Sequence, residues 1–515
     1  MMQYDRFFPG LAGATALAIL HVPAVHAADC GALAGVALPH VQIAAAEQIA
    51  AGAYKAPAAT PMEPSLPASV YAGLPAFCKV TGTIRPTPDS DIRFEVWLPA
   101  AASWNGKFVG TGNGVWAGSV VQSSMVEPLS KGYATMATDD GHQGSPMDAS
   151  FAAGHPEKLK DFGYRAVHET TVATKALIKA FYSKPASRSL FVSCSTGGRQ
   201  GLMEAYRYPQ DYDGISAMAP ANPMVGLMVA SLWTGYSVLK DDASRIPPPK
   251  WALVHQAVLQ ACDAQDGVKD GIVSHLGCGF DPQLLQCKAG DAPDCLTAPQ
   301  VAAVRAIYEG AHNPRTGGLI YPGFERGSEG MLPILTMGPT PFPVAQSYFQ
   351  ALVFNDPKWD FRSFDYDRDV ERSLKFGHDA LDVPPTGLDA FVSGHRKLLL
   401  SHGMADGLIP TRSTVNFYTA LTQHEGAAKS DNVRLFLAPG MGHCGGGDGP
   451  SVIDAIGAID GWVQSGQAPE RIVASNPQGQ PARTRPLCPY PQEAVYAGHG
   501  STDDARNFSC RLPKL

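Results

Sequence analysis

Between about residue 90 and residue 225, short apolar runs alternate with a longer stretch in which apolar positions recur every three or four residues. "FEVWLP", "KFVGTGNG", "GYATMATDD", "SLFVSCS" and "GISAMAPA" read as strands or strand ends, and "YRAVHETTVATKALIKAFY" as an amphipathic helix. Such alternation predicts a mostly parallel sheet covered by helices. From about 225 to 396 the rhythm stops, and proline clusters ("IPPPK", "GPTPFPVA", "VPPTG"), four cysteines and many aromatics take its place. The strand-like "KLLLSHGMAD" and "VRLFLAPGMGH" then resume, followed by the helical "DAIGAIDGWVQSG". The pattern predicts an α/β core interrupted by one large insertion.

The start of the chain is patterned differently. Arg6, the apolar run "LAGATALAIL" and then "HVPAVHAADC", with small residues at Val25 and Ala27, predict a secretory signal cleaved near Ala27. The run is shorter than the roughly 20 apolar residues a membrane span requires, it is bracketed by Asp5 and His21, and no later segment is apolar for long enough. The expectation is a soluble exported protein, secreted or periplasmic, with no membrane partner.

A length of 515 residues suits a core with an insertion, and 45% hydrophobic with 17% charged residues is a globular composition. The net charge of -7 leaves no basic surface for nucleic acid, which is not expected as a partner. The cysteines are Cys30, Cys78, Cys194, Cys262, Cys278, Cys287, Cys295, Cys444, Cys488 and Cys510, an even set that permits five disulfides in an oxidising compartment. Spacing leaves the connectivity open, although Cys262 with Cys278, Cys287 with Cys295 and Cys488 with Cys510 would close short loops.

The candidate chemistry lies where "SLFVSCS" meets "TGGRQGLMEAYRYP". In α/β-hydrolases the nucleophile occupies a strained strand-to-helix turn of the form G-x-S-x-G. Here Ser195 takes the nucleophile position, and Ser193 stands where the first glycine is usual. A serine needs a histidine to take its proton and an acid to orient that histidine, in the chain order Ser, acid, His. Asp406 in "SHGMADGLIP" and His443 in "LFLAPGMGHCGG" satisfy both that order and placement at strand ends. His142, His402, Asp139 and Asp140 also sit near strand ends but do not satisfy both conditions. If Ser195 and His443 touch, Cys194 and Cys444 beside them come close enough to form a disulfide, which would remove Cys194 as a nucleophile. A thiol chemistry at Cys194 is the competing reading.

These motifs, "CSTGGRQGLMEAYRYPQDYDGI", "GMAD" and "GHCGGG", resemble those of the tannase and feruloyl esterase family, which also includes mono(2-hydroxyethyl) terephthalate hydrolase, and the likeness covers nearly the whole mature chain. The resemblance implies an α/β-hydrolase fold with a large inserted lid domain. Residues 1–27 would be the signal peptide, 28–223 with 398–515 the catalytic domain, and 224–397 the lid. It implies a triad of Ser195, Asp406 and His443, and disulfides Cys194 to Cys444, Cys30 to Cys78, Cys262 to Cys278, Cys287 to Cys295 and Cys488 to Cys510. The oxyanion of a tetrahedral intermediate would be met by the backbone N–H of Thr196 and, by similarity, of Gly112 in "VGTGNGVWAG".

"CDAQDGVKDGIV" brings Asp263, Asp266 and Asp270 together with turn-forming glycines, without the distant glutamate of an EF-hand. By the resemblance this loop holds a structural Ca2+ in the lid, completed by the carbonyls of Val268 and Ile272. The substrate implied is a small ester of an aromatic acid such as ferulate, gallate or terephthalate. Trp233, Phe342, Phe349 and Phe354 in the lid could stack on its ring, although such residues more often belong to the core. A terephthalate monoester hydrolase is one alternative, and a catalytically inactive, calcium-stabilised binding protein is another.

Overall fold

The computed structural model describes residues 1–2, 29–55, 58, 66–476 and 482–513, so the expected signal segment, apart from Met1 and Met2, lies outside the described residues. The strands are β1 (Val41–Ile49), β2 (Phe77–Ile84), β3 (Ile92–Pro99), β4 (Phe108–Gly110), β5 (Ala134–Thr138), β6 (Ser189–Cys194), β7 (Gly214–Met218), a small hairpin of β8 (Gly310–His312) and β9 (Leu319–Pro322), then β10 (Lys397–Gly403) and β11 (Val433–Ala438). Apart from the hairpin they form one sheet in the order β1-β2-β3-β5-β4-β6-β7-β10-β11. From β5 to β11 neighbouring strands run parallel, whereas β1, β2 and β3 add on antiparallel.

The sequence patterns follow from what covers each strand. In β5 every residue is buried, and in β6 Leu190 and Phe191 have no exposure, because helices pack on both faces of the parallel part. Nearer the edge, β2 alternates buried and half-buried positions, as expected of a strand with one wetter face. The helix Ala166–Tyr182 packs against the core through Ala166, Val167, Leu177, Ile178 and Phe181. No helix among the described residues is long and apolar enough to cross a membrane.

Residues 219–396 intervene between β7 and β10, yet these two strands pair directly, from Gly214 with Lys397 to Met218 with Ser401. The insertion therefore leaves and rejoins the sheet at adjacent places. Its first helix, Met224–Leu239, is apolar nearly all round and is buried on most of its positions. Its core continues into the rest of the molecule: the Trp116 ring stacks on Tyr348 with centroids 5.9 Å apart, and its Nε1 donates to the Val344 carbonyl at 3.0 Å. Trp233 donates to the Ala306 carbonyl and meets Tyr366 edge-on, while Phe349 and Phe354 pack with Trp359. These three aromatics belong to the core of the insertion.

All five disulfides are formed, pairing Cys30 with Cys78, Cys194 with Cys444, Cys262 with Cys278, Cys287 with Cys295 and Cys488 with Cys510. Cys194 therefore has no free thiol.

Candidate active site

Ser195 stands between the end of β6 and the helix Thr196–Arg207 with φ of 63° and ψ of -126°, a left-handed conformation that costs a non-glycine residue energy and persists only where its surroundings impose it. The turn is tight enough that a Cβ at Gly197 would collide with Ser193 Oγ, and one at Gly198 would stand 2.6 Å from the Met218 carbonyl oxygen. Only glycine fits at those two positions. The serine hydroxyl is thereby held clear of the sheet, at the carboxyl ends of the parallel strands where α/β folds gather their sites.

His443 Nε2 lies 2.9 Å from Ser195 Oγ, and its Nδ1 lies 2.7 Å from Asp406 Oδ2. The three residues singled out from the sequence form one hydrogen-bonded line. Asp406 is buried, and its Oδ1 accepts the amides of Leu408 at 2.8 Å and Ile409 at 2.9 Å. Burial pushes its carboxyl up, but the opposing charge of His443 and the hydrogen bonds of His402 and His443 outweigh that and hold it well below the usual carboxylate range. Asp406 is accordingly ionised at neutral pH.

His402, weighed in the sequence as another strand-end histidine, supports this acid. Thr414 Oγ1 lies 2.8 Å from its Nδ1, so a proton donated by the hydroxyl leaves the imidazole hydrogen on Nε2, which faces the Ile409 carbonyl at 3.0 Å and Asp406 Oδ2 at 3.2 Å. His142 stacks on Phe151 with centroids 3.5 Å apart, and burial lowers its pKa to about 4. Asp139 and Asp140 are buried and raised to about 7 by desolvation. They brace backbone and loops: Asp139 accepts from the Arg93 and Gly141 amides, and Asp140 from Gln200 Nε2 at 2.7 Å.

The loop after β4 is held against the helix that follows Ser195. Gln200 Oε1 accepts the Asn113 amide at 2.9 Å, Asn113 O accepts the Gly197 amide at 2.6 Å, and Thr196 Oγ1 donates to the Val115 carbonyl at 2.9 Å. The amide of Gly112, expected from the sequence to face an oxyanion, donates to Ser193 Oγ at 3.2 Å in this structure. The serine that replaces the usual first glycine supplies this acceptor. The amides of Thr196 and Val115 take no hydrogen bond among the described residues, and Val115, at φ of 45°, lines the cleft with Ser195.

That cleft, of about 50 Å³, opens over Ser195, Thr196 and His443. Leu408 and Ile409 wall it from the Asp406 loop, and Met224, Met228, Ser231 and Phe342 from the insertion. Phe342 is thus the one of the four insertion aromatics named above that reaches the site. The insertion also touches His443 directly, since its amide donates to Met331 Sδ at 3.3 Å. A larger cavity of about 180 Å³ lies elsewhere, between Ser274 and the segment Arg485 to Glu493.

In the acidic loop, Asp263 accepts the amides of Asp270, Gly271 and Ile272, and Asp266 accepts that of Val268. Asp270 is ion-paired with Arg485, with Arg483 3.8 Å away. The three carboxylates do not form one compact ligand group in this structure. The donor set is nevertheless all oxygen: Asp270 Oδ1 is buried without a partner, and the carbonyls of Val268 and Ile272 accept no hydrogen bond among the described residues. Such a set fits a hard divalent cation.

Comparison with known proteins places these features in context. A family model described as tannase and feruloyl esterase matches residues 78–511. An uncharacterized esterase of Xanthomonas campestris pv. campestris is 36% identical over 96% of this chain and 93% of its own length. A probable feruloyl esterase B-2 of Aspergillus terreus is 30% identical over 84% of this chain and 86% of its own. The crystal structure of feruloyl esterase B from Aspergillus oryzae superposes with a TM-score of 0.85 at 28% identity, covering 94% of this chain and 99% of that one.

Proposed function

This chain belongs to the tannase and feruloyl esterase family and is a carboxylic ester hydrolase, and from that premise we propose that it is an exported serine esterase of aromatic acids working through Ser195, His443 and Asp406. The observation that carries the reading is the hydrogen-bonded line from Ser195 Oγ through His443 to Asp406 at the floor of the cleft. His443 Nε2 takes the Ser195 proton as the oxygen attacks the ester carbonyl, and Asp406 holds the imidazole by Nδ1 and stabilises its charge. The developing oxyanion is met by the amides of Thr196 and Val115. His443 then protonates the departing alcohol, leaving an acyl-enzyme, and water activated by the same nitrogen releases the acid.

An aromatic acyl group suits the cleft because its walls, Met224, Met228, Phe342, Leu408 and Ile409, are apolar. The relatives named as feruloyl esterases support the same class. Residues 224–397 act as a lid that supplies much of this wall. Five disulfides favour an oxidising compartment, hence export. Ca2+ would be held by Asp263, Asp266 and Asp270 with the carbonyls of Val268 and Ile272, tying down the loop that the Cys262 to Cys278 bridge encloses and taking no part in the chemistry.

The test is a panel of initial rates on methyl ferulate, methyl gallate, mono(2-hydroxyethyl) terephthalate and p-nitrophenyl acetate, with Ser195→Ala in parallel and each protein with and without a chelator. The wild type is expected to cleave an aromatic ester, Ser195→Ala to lose at least about 10³-fold in kcat, and chelation to lower the apparent Tm. An alanine variant with wild-type rates sinks the nucleophile assignment.

A further inference from the structure

The helix Met224–Leu239 turns Met224, Leu227, Met228 and Ser231 toward the cleft that contains Ser195. Their spacing of three, four and seven residues is that of one helix face. The helix starts close to the nucleophile, because the Ala221 amide, just before it, donates to the Ser195 carbonyl at 3.0 Å. Ser231 lies seven residues beyond Met224, about 10 Å further along the axis. It therefore stands about two helical turns further from the nucleophile turn than Met224 does.

Ser231 is 4% exposed, and its hydroxyl has no hydrogen-bond partner among the described residues. A serine within a helix commonly satisfies its hydroxyl on the carbonyl four residues back, as Ser237 does on Trp233 at 2.8 Å. Its Oγ is not among the fully buried atoms left without a partner, so the little surface that Ser231 keeps includes the hydroxyl, which is open to whatever enters the cleft. Around it the cleft is apolar. Among the described residues no lysine, arginine, aspartate or glutamate lines it, and the Thr196 hydroxyl is already committed to the Val115 carbonyl.

We propose that Ser231 is a specificity-determining residue, whose hydroxyl bonds a neutral phenolic hydroxyl at the far end of a one-ring acyl group while the cleft rejects acids that carry a carboxylate there. The proposal rests on the reading of Ser195 as the nucleophile. A phenol both donates and accepts, so it pairs with the serine whichever way that hydroxyl turns. A carboxylate in the same place would be stripped of water with no cation to meet it, which is far more costly than burying a phenol. The wall adjacent to Ser231 on its helix is methionine and leucine, and the unbranched side chains of Met224 and Met228 can shift to admit a ring into a cleft of about 50 Å³.

The experiment measures kcat/KM of the wild type, Ser231→Ala and Ser231→Val on methyl 4-hydroxycinnamate and methyl cinnamate, and of the wild type on mono(2-hydroxyethyl) terephthalate and its uncharged methyl ester. The ratio of the phenolic to the unsubstituted cinnamate is expected to fall about 5- to 10-fold in both variants, the worth of one hydrogen bond. The charged terephthalate ester is expected to react at least about 10-fold more slowly than its methyl ester. An unchanged cinnamate ratio, or equal rates on the two terephthalates, overturns the proposal. Titrating the two cinnamates into Ser195→Ala and into Ser195→Ala with Ser231→Ala separates this from the reading beneath it. Loss of the Kd preference for the phenol in the double variant upholds Ser231 even if Ser195 is not the nucleophile, and equal Kd values in both proteins refute it.

Discussion

Ser193 shows how a departure from a motif can be informative. A glycine there would satisfy the usual turn pattern, but the Gly112 amide would then lose the acceptor it has at 3.2 Å. Ser193→Ala should leave that amide without its bond and slacken the loop that carries Val115, at a cost of about 0.5–1.5 kcal/mol. The expected kinetic result is a several-fold fall in kcat with KM little changed, since the loop is proposed to act on the oxyanion that forms only during reaction. A rise in KM with kcat intact would show that the loop serves substrate binding instead. Ser195, Asp406 and His443 could be found in the sequence because chain order and strand ends constrain them. The partners of Gly112 and the support that His402 gives Asp406 could not, because both depend on where side chains point across loops distant in sequence.

Among the elements, the turn after β6 and the His443 loop are joined by the Cys194 to Cys444 bridge across a sequence separation of 250 residues. A crosslink between such distant positions restricts the unfolded chain strongly, and a bridge of this kind contributes about 2–5 kcal/mol. Replacing both cysteines by serine should lower the apparent Tm and, because Ser195 and His443 are the immediate neighbours, lower kcat as well. A double variant with reduced Tm and wild-type kcat would show the bridge to be a staple and not a positioning device. The alternation of strand and helix from β4 to β7 was plain in the hydrophobic pattern. β1 was not, since "VQIAAAEQI" is rich in alanine and polar residues, has little strand preference of its own, and is made a strand by its antiparallel pairing with β2. The antiparallel pairing of Ile472–Asn476 with Arg483–Leu487 is illegible in the sequence for a related reason, as the pairing partner and not the composition defines it.

At the scale of the whole molecule, the insertion is fastened to the His443 loop through His255, whose Nε2 lies 3.2 Å from Asp448 Oδ2 and whose Nδ1 lies 2.8 Å from Glu329 Oε2. Hydrogen bonds to Asp448 and Glu329 raise its pKa to about 10 against the desolvation that would lower it. A histidine that holds its proton more tightly folded than unfolded stabilises fully below its unfolded pKa, roughly 6.5, and loses that contribution as pH rises toward 10. The Tm of the wild type should therefore exceed that of His255→Gln at pH 6, with the gap closing near pH 10. A gap independent of pH would refute the assignment. The large insertion was evident in the sequence as a break in rhythm. Its continuity with the core was hidden, because the stacking of Trp116 on Tyr348 joins residues more than two hundred positions apart. Because β7 and β10 pair directly, the register of the sheet does not depend on the outer part of the insertion, away from Ala221, His255 and Met331, which hold the site. New substrate preferences can thus arise in this scaffold by grafting a foreign segment between two fixed anchor points, provided the graft brings a flat ring to cover Trp116.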